Sequence, residues 1–194
     1  MFIQTEVTPN PDVLKFLPGR DVLGQGAREF RDADEAEASP LAEAIFALEG
    51  VRRVFFGADF LTVTRDPDGL DWPRMKAPVL AAIMEHFTSG APILYSAQAA
   101  GAERADHGDD VYEGDTAQVV AEIKDLLDSR IRPAVAQDGG DITFDRFEPQ
   151  TGVVWLHMRG ACSGCPSSSA TLKSGVENML KHYVPEVTRV EQTL

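Results

Sequence analysis

Between Ala97 and Asp115 the hydrophobic periodicity of the chain stops. Ala, Gly, Glu and Asp dominate there, and such a segment cannot bury enough apolar surface to offset its lost conformational freedom. It reads as an acidic flexible linker, held extended by self-repulsion. The 194 residues must then fold as two small units, 1–96 and 116–194, on either side of a linker at 97–115. Each is long enough to bury a core of its own.

Both units read as α+β, with strands and helices in two layers. In the first, Phe2–Thr5 and Val13–Phe16 are short strands, and Pro9, Asn10 and Pro11 mark the turn between them. Arg28–Glu37 is charge-rich, without apolar period, and reads as surface. Ser39-Pro40 gives an N-cap followed by proline in the first helical turn, opening a helix through Leu41, Ile45 and Leu48 that stops at Gly50. Val51–Phe56 and Phe60–Thr64 form a hairpin. A helix from Trp72 to Gly90 follows, and Pro92–Tyr95 is expected as a final edge segment.

In the second unit, Thr116 is the expected N-cap of an amphipathic helix carrying Val119, Val120, Ile123, Leu126, Leu127 and Ile131. That helix should end before Pro133. Asp138-Gly139-Gly140-Asp141 reads as a turn that needs positive φ at glycine rather than as a cation site. A strand from Ile142, a turn at Glu148–Gly152, a strand at Val153–Met158, a second helix and a strand at Val187–Gln192 complete the order helix-strand-strand-helix-strand. It is a two-layer domain, not a doubly wound sheet.

The chemistry concentrates at Arg159-Gly-Ala-Cys162-Ser-Gly-Cys165-Pro-Ser-Ser-Ser169, which holds the two cysteines of the chain. They fall between a strand end and a helix that opens on Pro166. The positive end of the helix dipole there favours thiolate over thiol. A tetrahedral zinc or an iron–sulfur cluster usually takes four donors, and one chain offers two thiols. His157 should point to the face opposite Met158, and His86, His107 and His182 follow no ligand spacing. Two chains related by a two-fold axis would supply four thiolates. Two rival readings stand beside this: a dithiol oxidoreductase forming a Cys162–Cys165 disulfide, and a zinc-bridged interaction module. A thioredoxin-like site would need a βαβ context and more strands downstream, and only about a dozen residues follow the helix.

Together with Asp138-Gly-Gly-Asp141, the stretch Gly160-Ala-Cys-Ser-Gly-Cys-Pro-Ser-Ser-Ser-Ala-Thr-Leu-Lys173 resembles the C-terminal domain of NifU-type iron–sulfur scaffold proteins. Met1–Glu6, Thr8-Pro-Asn-Pro11, Leu14–Phe16, Val54–Gly57 and Asp59–Thr64 are similar to the N-terminal domain of the Nfu branch. The resemblance implies a [4Fe–4S] cluster shared by two subunits, each giving Cys162 and Cys165; a [2Fe–2S] form would need the same four thiolates. It implies a homodimer when loaded, client apoproteins and upstream assembly proteins as partners, and a carrier rather than an enzyme.

A formal net charge of −13 argues against nucleic acid, whose phosphates would be repelled. No run of about 18 apolar residues exists to span a membrane. The N-terminus reads neither as a secretory signal nor as an Arg-rich presequence. With two thiols left reduced, a bacterial cytoplasm is the expected compartment.

Overall fold

The computed structural model describes residues 2–95, 112–163 and 166–193, with backbone alone at 166–169. Of the expected linker, residues 97–111 lie outside the described ones. The chain divides into two compact units, Met1–Arg104 and Ala105–Leu194.

The first unit is a five-stranded antiparallel sheet in the order β1 (Gln4–Val7), β2 (Val13–Leu17), β5 (Leu61–Arg65), β4 (Val51–Phe56), β3 (Arg28–Phe30). Alternation sends Leu14, Phe16, Val54, Phe56, Leu61 and Val63 to one face. There they share a core with Leu41 and Ile45 of α2 (Pro40–Phe46) and Val79 and Ile83 of α3 (Trp72–Ser89). Ser39 caps α2 by accepting from the Ala42 N–H at 3.1 Å, as its sequence position predicts. The helix stops at Phe46, short of Gly50, whereas α3 ends on left-handed Gly90 as expected.

Two expectations for this unit need correcting. Arg28–Glu37 is not mere surface: it holds edge strand β3 and the short helix α1 (Ala33–Ala36), with Phe30 and Ala36 fully buried. Three-residue strands are too short for a period to show. Pro92–Tyr95 does not join the sheet; it docks on the start of α2. The Ser39 hydroxyl donates to the Ile93 carbonyl at 2.5 Å, and the Tyr95 N–H donates to the Ala38 carbonyl at 3.0 Å.

In the second unit the order is α4 (Gly114–Leu126), a π-helical turn (Leu127–Ile131), α5 (Arg132–Gln137), β6 (Gly140–Glu148), β7 (Val153–Gly160), α6 (Pro166–Tyr183) and β8 (Arg189–Thr193). Strand β6 runs antiparallel to β7, and β7 runs parallel to β8 across the α6 crossover. The core unites Ile123, Leu127 and Ile131 with Ile142, Leu156, Val176, Leu180 and Val190. The expected helix-strand-strand-helix-strand order holds. Its start does not: Glu113, not Thr116, is the N-cap of α4, so Gly114 and Asp115 are helical. Before it, the Tyr112 hydroxyl takes the place of a further strand beside β6. It accepts from the Phe147 N–H (2.8 Å) and donates to the Phe147 carbonyl (3.1 Å).

Pro133 does not end the first helix. In an α-helix its ring would meet the carbonyl four residues back, that of Ser129. The π turn at Leu127–Ile131 widens the spacing at that point, and helix continues to Gln137.

Candidate functional site

The cysteine loop grows from the end of β7. Gly160 closes the strand with φ +63°, a left-handed value that suits glycine, and turns the chain into Ala161-Cys162-Ser163. The Ser163 N–H and hydroxyl both donate to the Gly160 carbonyl, at 3.1 and 3.0 Å. Opposite lies the junction of α5 and β6. Gly139, at φ +84°, reverses the chain, and its carbonyl accepts from the Ala161 N–H at 3.1 Å. Gly140 pairs with Gly160 as the first rung of the β6–β7 ladder. The Asp138–Asp141 motif and the cysteine motif are thus two sides of one structure, although 20 residues separate Gly140 from Gly160 in the chain.

Cys162 faces inward. It is 5% exposed and belongs to the core that holds Ile142, Leu156 and Met158. Burial pushes its thiol up to about 12, and the carboxylates of Asp138 and Asp141 add to the rise. The expected thiolate is not what this residue's surroundings favour: desolvation and two acidic neighbours both raise the thiol pKa. At neutral pH the thiol is protonated. Cys165 and Gly164 lie outside the described residues.

A clamp fixes the floor of the site. Arg132, the first residue after the π turn, grips Asp141 with two hydrogen bonds, Nε to Oδ1 at 2.9 Å and Nη2 to Oδ2 at 3.2 Å. Its Nη1 also donates to Asp128 Oδ1 at 2.9 Å. Asp141 is 7% exposed, and a carboxylate so buried needs such a partner. The π turn sets Asp128 and Arg132 where one guanidinium reaches both acids. In the sequence the only sign of Arg132 is an Arg-Pro pair inside a helical period.

Within the second unit, His157 is engaged away from Cys162. His157 Nε2 lies 3.3 Å from Asp145 Oδ1, and the Thr193 hydroxyl donates to Asp145 Oδ2 at 2.7 Å. A β-bulge between Phe144 and Arg146 produces that arrangement by leaving Asp145 without a register partner. His86 is buried on α3, His182 stacks edge-on against Tyr183, and His107 lies outside the described residues. Among the described residues no group of three or more His, Cys, Asp or Glu could hold a metal ion. The loop does stand in a βαβ unit, β7–α6–β8, contrary to the expectation that the βαβ context was missing; a helix crossover hides strand direction in the sequence.

Comparison with known proteins matches residues 3–90 to the family "Scaffold protein Nfu/NifU N terminal" and residues 123–191 to the "NifU-like domain" family. The chain is 52% identical over 192 residues to the mitochondrial NifU-like protein 4 of Arabidopsis thaliana, covering 99% of this chain and 66% of that protein. It is 51% identical to the mitochondrial NifU-like protein 5 of the same plant, covering 99% and 68%. It is 53% identical to the mitochondrial NFU1 iron-sulfur cluster scaffold homolog of Drosophila erecta, covering 99% and 65%. The chain therefore spans about two-thirds of the length of these relatives. They also overturn the expected bacterial cytoplasm, since all three are mitochondrial proteins of eukaryotes.

Proposed function

Since the chain belongs to the Nfu/NifU family of iron–sulfur cluster scaffolds, which are not enzymes, we propose that it carries a [4Fe–4S] cluster between two copies of itself and hands it to apoproteins. Cys162 and Cys165 of each copy are the ligands. One observation carries this reading: two cysteines in 194 residues supply half of a four-thiolate set. A second copy completes the set without any other residue type. The cluster is cargo, received from upstream assembly proteins and held by four thiolates, so client thiolates can replace them one for one, each carrier thiolate leaving as a client thiolate binds.

Anaerobic reconstitution with iron and sulfide tests this, with metal analysis and sedimentation on the same sample. The expected result is a dimer holding about four iron and four sulfide per two chains, with broad visible absorption. A [2Fe–2S] cargo would halve both counts. Zinc without labile sulfide, or a Cys162–Cys165 disulfide that takes up no iron, would overturn the carrier reading.

A further inference from the structure

A cysteine that bridges iron to a second copy must reach the surface, and Cys162 does not: it is 5% exposed and belongs to the core that also holds Ile142, Leu156 and Met158. Its sulfur lies against the Cα of Gly140. Gly140 is not left-handed, so backbone conformation gives no reason for glycine there. Space does. A Cβ at 140 would overlap the Cys162 sulfur, would come within 3.2 Å of the Cys162 Cβ, and would stand 2.7 Å from the Arg159 carbonyl oxygen. That carbonyl is part of the β6–β7 ladder and cannot retreat as a side chain can. The floor is anchored on both flanks, by the Ala161–Gly139 hydrogen bond and by the Arg132 grip on Asp141.

We infer that Gly140 is a positioning residue: it seats the Cys162 thiol inside the core, and Cys162 becomes a ligand only when that thiol leaves its seat. This rests on the cluster-carrier reading above. The seat stabilises the empty state relative to the loaded one, so it weakens apparent cluster affinity by the fraction of molecules already open. A carrier gains from this, because return of the thiol to its seat competes with rebinding of the cluster and favours release.

The test uses the full-length, cluster-free Cys165→Ser chain, in which Cys162 is the one thiol. Its alkylation by N-ethylmaleimide is followed by intact mass, folded and in guanidinium at the same pH. The seat predicts a folded-state rate at least about 100-fold below the unfolded rate, as expected for a group reached by local opening. Adding Gly140→Ala should raise the folded-state rate at least about tenfold while circular dichroism and the urea curve still report a folded chain. The rise must exceed what the loss of stability in the urea curve accounts for, because a merely stabilising glycine would raise the rate only through global unfolding. A folded Cys165→Ser chain reacting within about threefold of the unfolded rate overturns the seat, and this holds even if Gly140→Ala fails to fold. A folded Gly140→Ala chain with unchanged reactivity overturns the role of Gly140. Reconstitution of the unsubstituted chain runs in parallel. Cluster uptake with a freely reactive Cys162 removes the seat and leaves the carrier reading standing. A protected Cys162 in a chain that takes up no cluster does the reverse.

Discussion

On the proposed reading Cys162 plays two parts that pull against each other, a core side chain when protonated and a cluster ligand when not. Serine is nearly the same size, but it is a hard donor that stays protonated at neutral pH. Cys162→Ser and Cys165→Ser should each abolish stable cluster binding, which reconstitution followed by visible absorption and iron analysis would show. A stable full cluster in either variant would remove these residues as the ligand set. At position 162 the swap also puts a hydroxyl into an apolar core and should cost about 1–3 kcal/mol of apo stability, read from urea unfolding. Arg132 acts on the same structure from below. Arg132→Gln leaves Asp141 buried beside Cys162 without its cation and should cost about 1–3 kcal/mol, less than for a fully buried pair because the Arg132 side chain is 35% exposed. Thermal unfolding of the apo chain checks it, and an unchanged midpoint would mean that solvent replaces the guanidinium.

Helix α3 shows what an element can hide. His86 lies on its buried face with Met75, Val79 and Ile83, 6% exposed, and its Nε2 finds no hydrogen-bond partner among the described residues. Burial lowers its pKa below the ordinary 6.5. The unfolded chain then binds a proton that the folded one refuses, so the stabilising contribution is present above the unfolded pKa and is lost as pH falls below it. The urea midpoint of the first unit, followed by Trp72 fluorescence in a Trp155→Phe chain, should drop between about pH 7.5 and about pH 5.5. His86→Leu should shrink that drop; an equal drop in the variant would assign it to other groups. The period of α3 was legible because its apolar residues recur every third or fourth place between Asp71 and Gly90. The π turn was not. Its residues are ordinary helix formers, and only the collision between Pro133 and the carbonyl of Ser129 demands the wider turn.

At the scale of the whole molecule, the two units carry separate cores, and every proposed ligand lies in the second. Cleavage within 97–111 should therefore leave a C-terminal fragment that still takes up cluster and an N-terminal fragment that folds without metal. Limited proteolysis followed by reconstitution of the fragments decides it; an unfolded or cluster-free C-terminal fragment would mean that the first unit completes the site. Loading should also drive pairing by mass action, since four thiolates need two chains. Apo chains of charge −13 repel one another, most strongly at low salt. Sedimentation before and after chelation should show dimer giving way to monomer, and a monomer holding a full cluster would end the two-fold model.

Periodicity and punctuation were enough to determine the α+β class of both units, the β4–β5 hairpin, the Ser39 cap and the order of the C-terminal elements. These are local consequences of which residues stand three, four or two places apart, and no distant contact is needed to see them. The C-x-x-C spacing of Cys162 and Cys165 was legible for the same reason. Tertiary structure alone decided the rest. Gly140 reads as a turn residue until β6 pairs with β7 and lays its Cα under a sulfur 22 residues further on. Cys162 reads as a thiolate until folding removes water from it and sets Asp138 and Asp141 beside it. Burial and close approach belong to pairs of residues far apart in the chain, and no window of sequence contains both members.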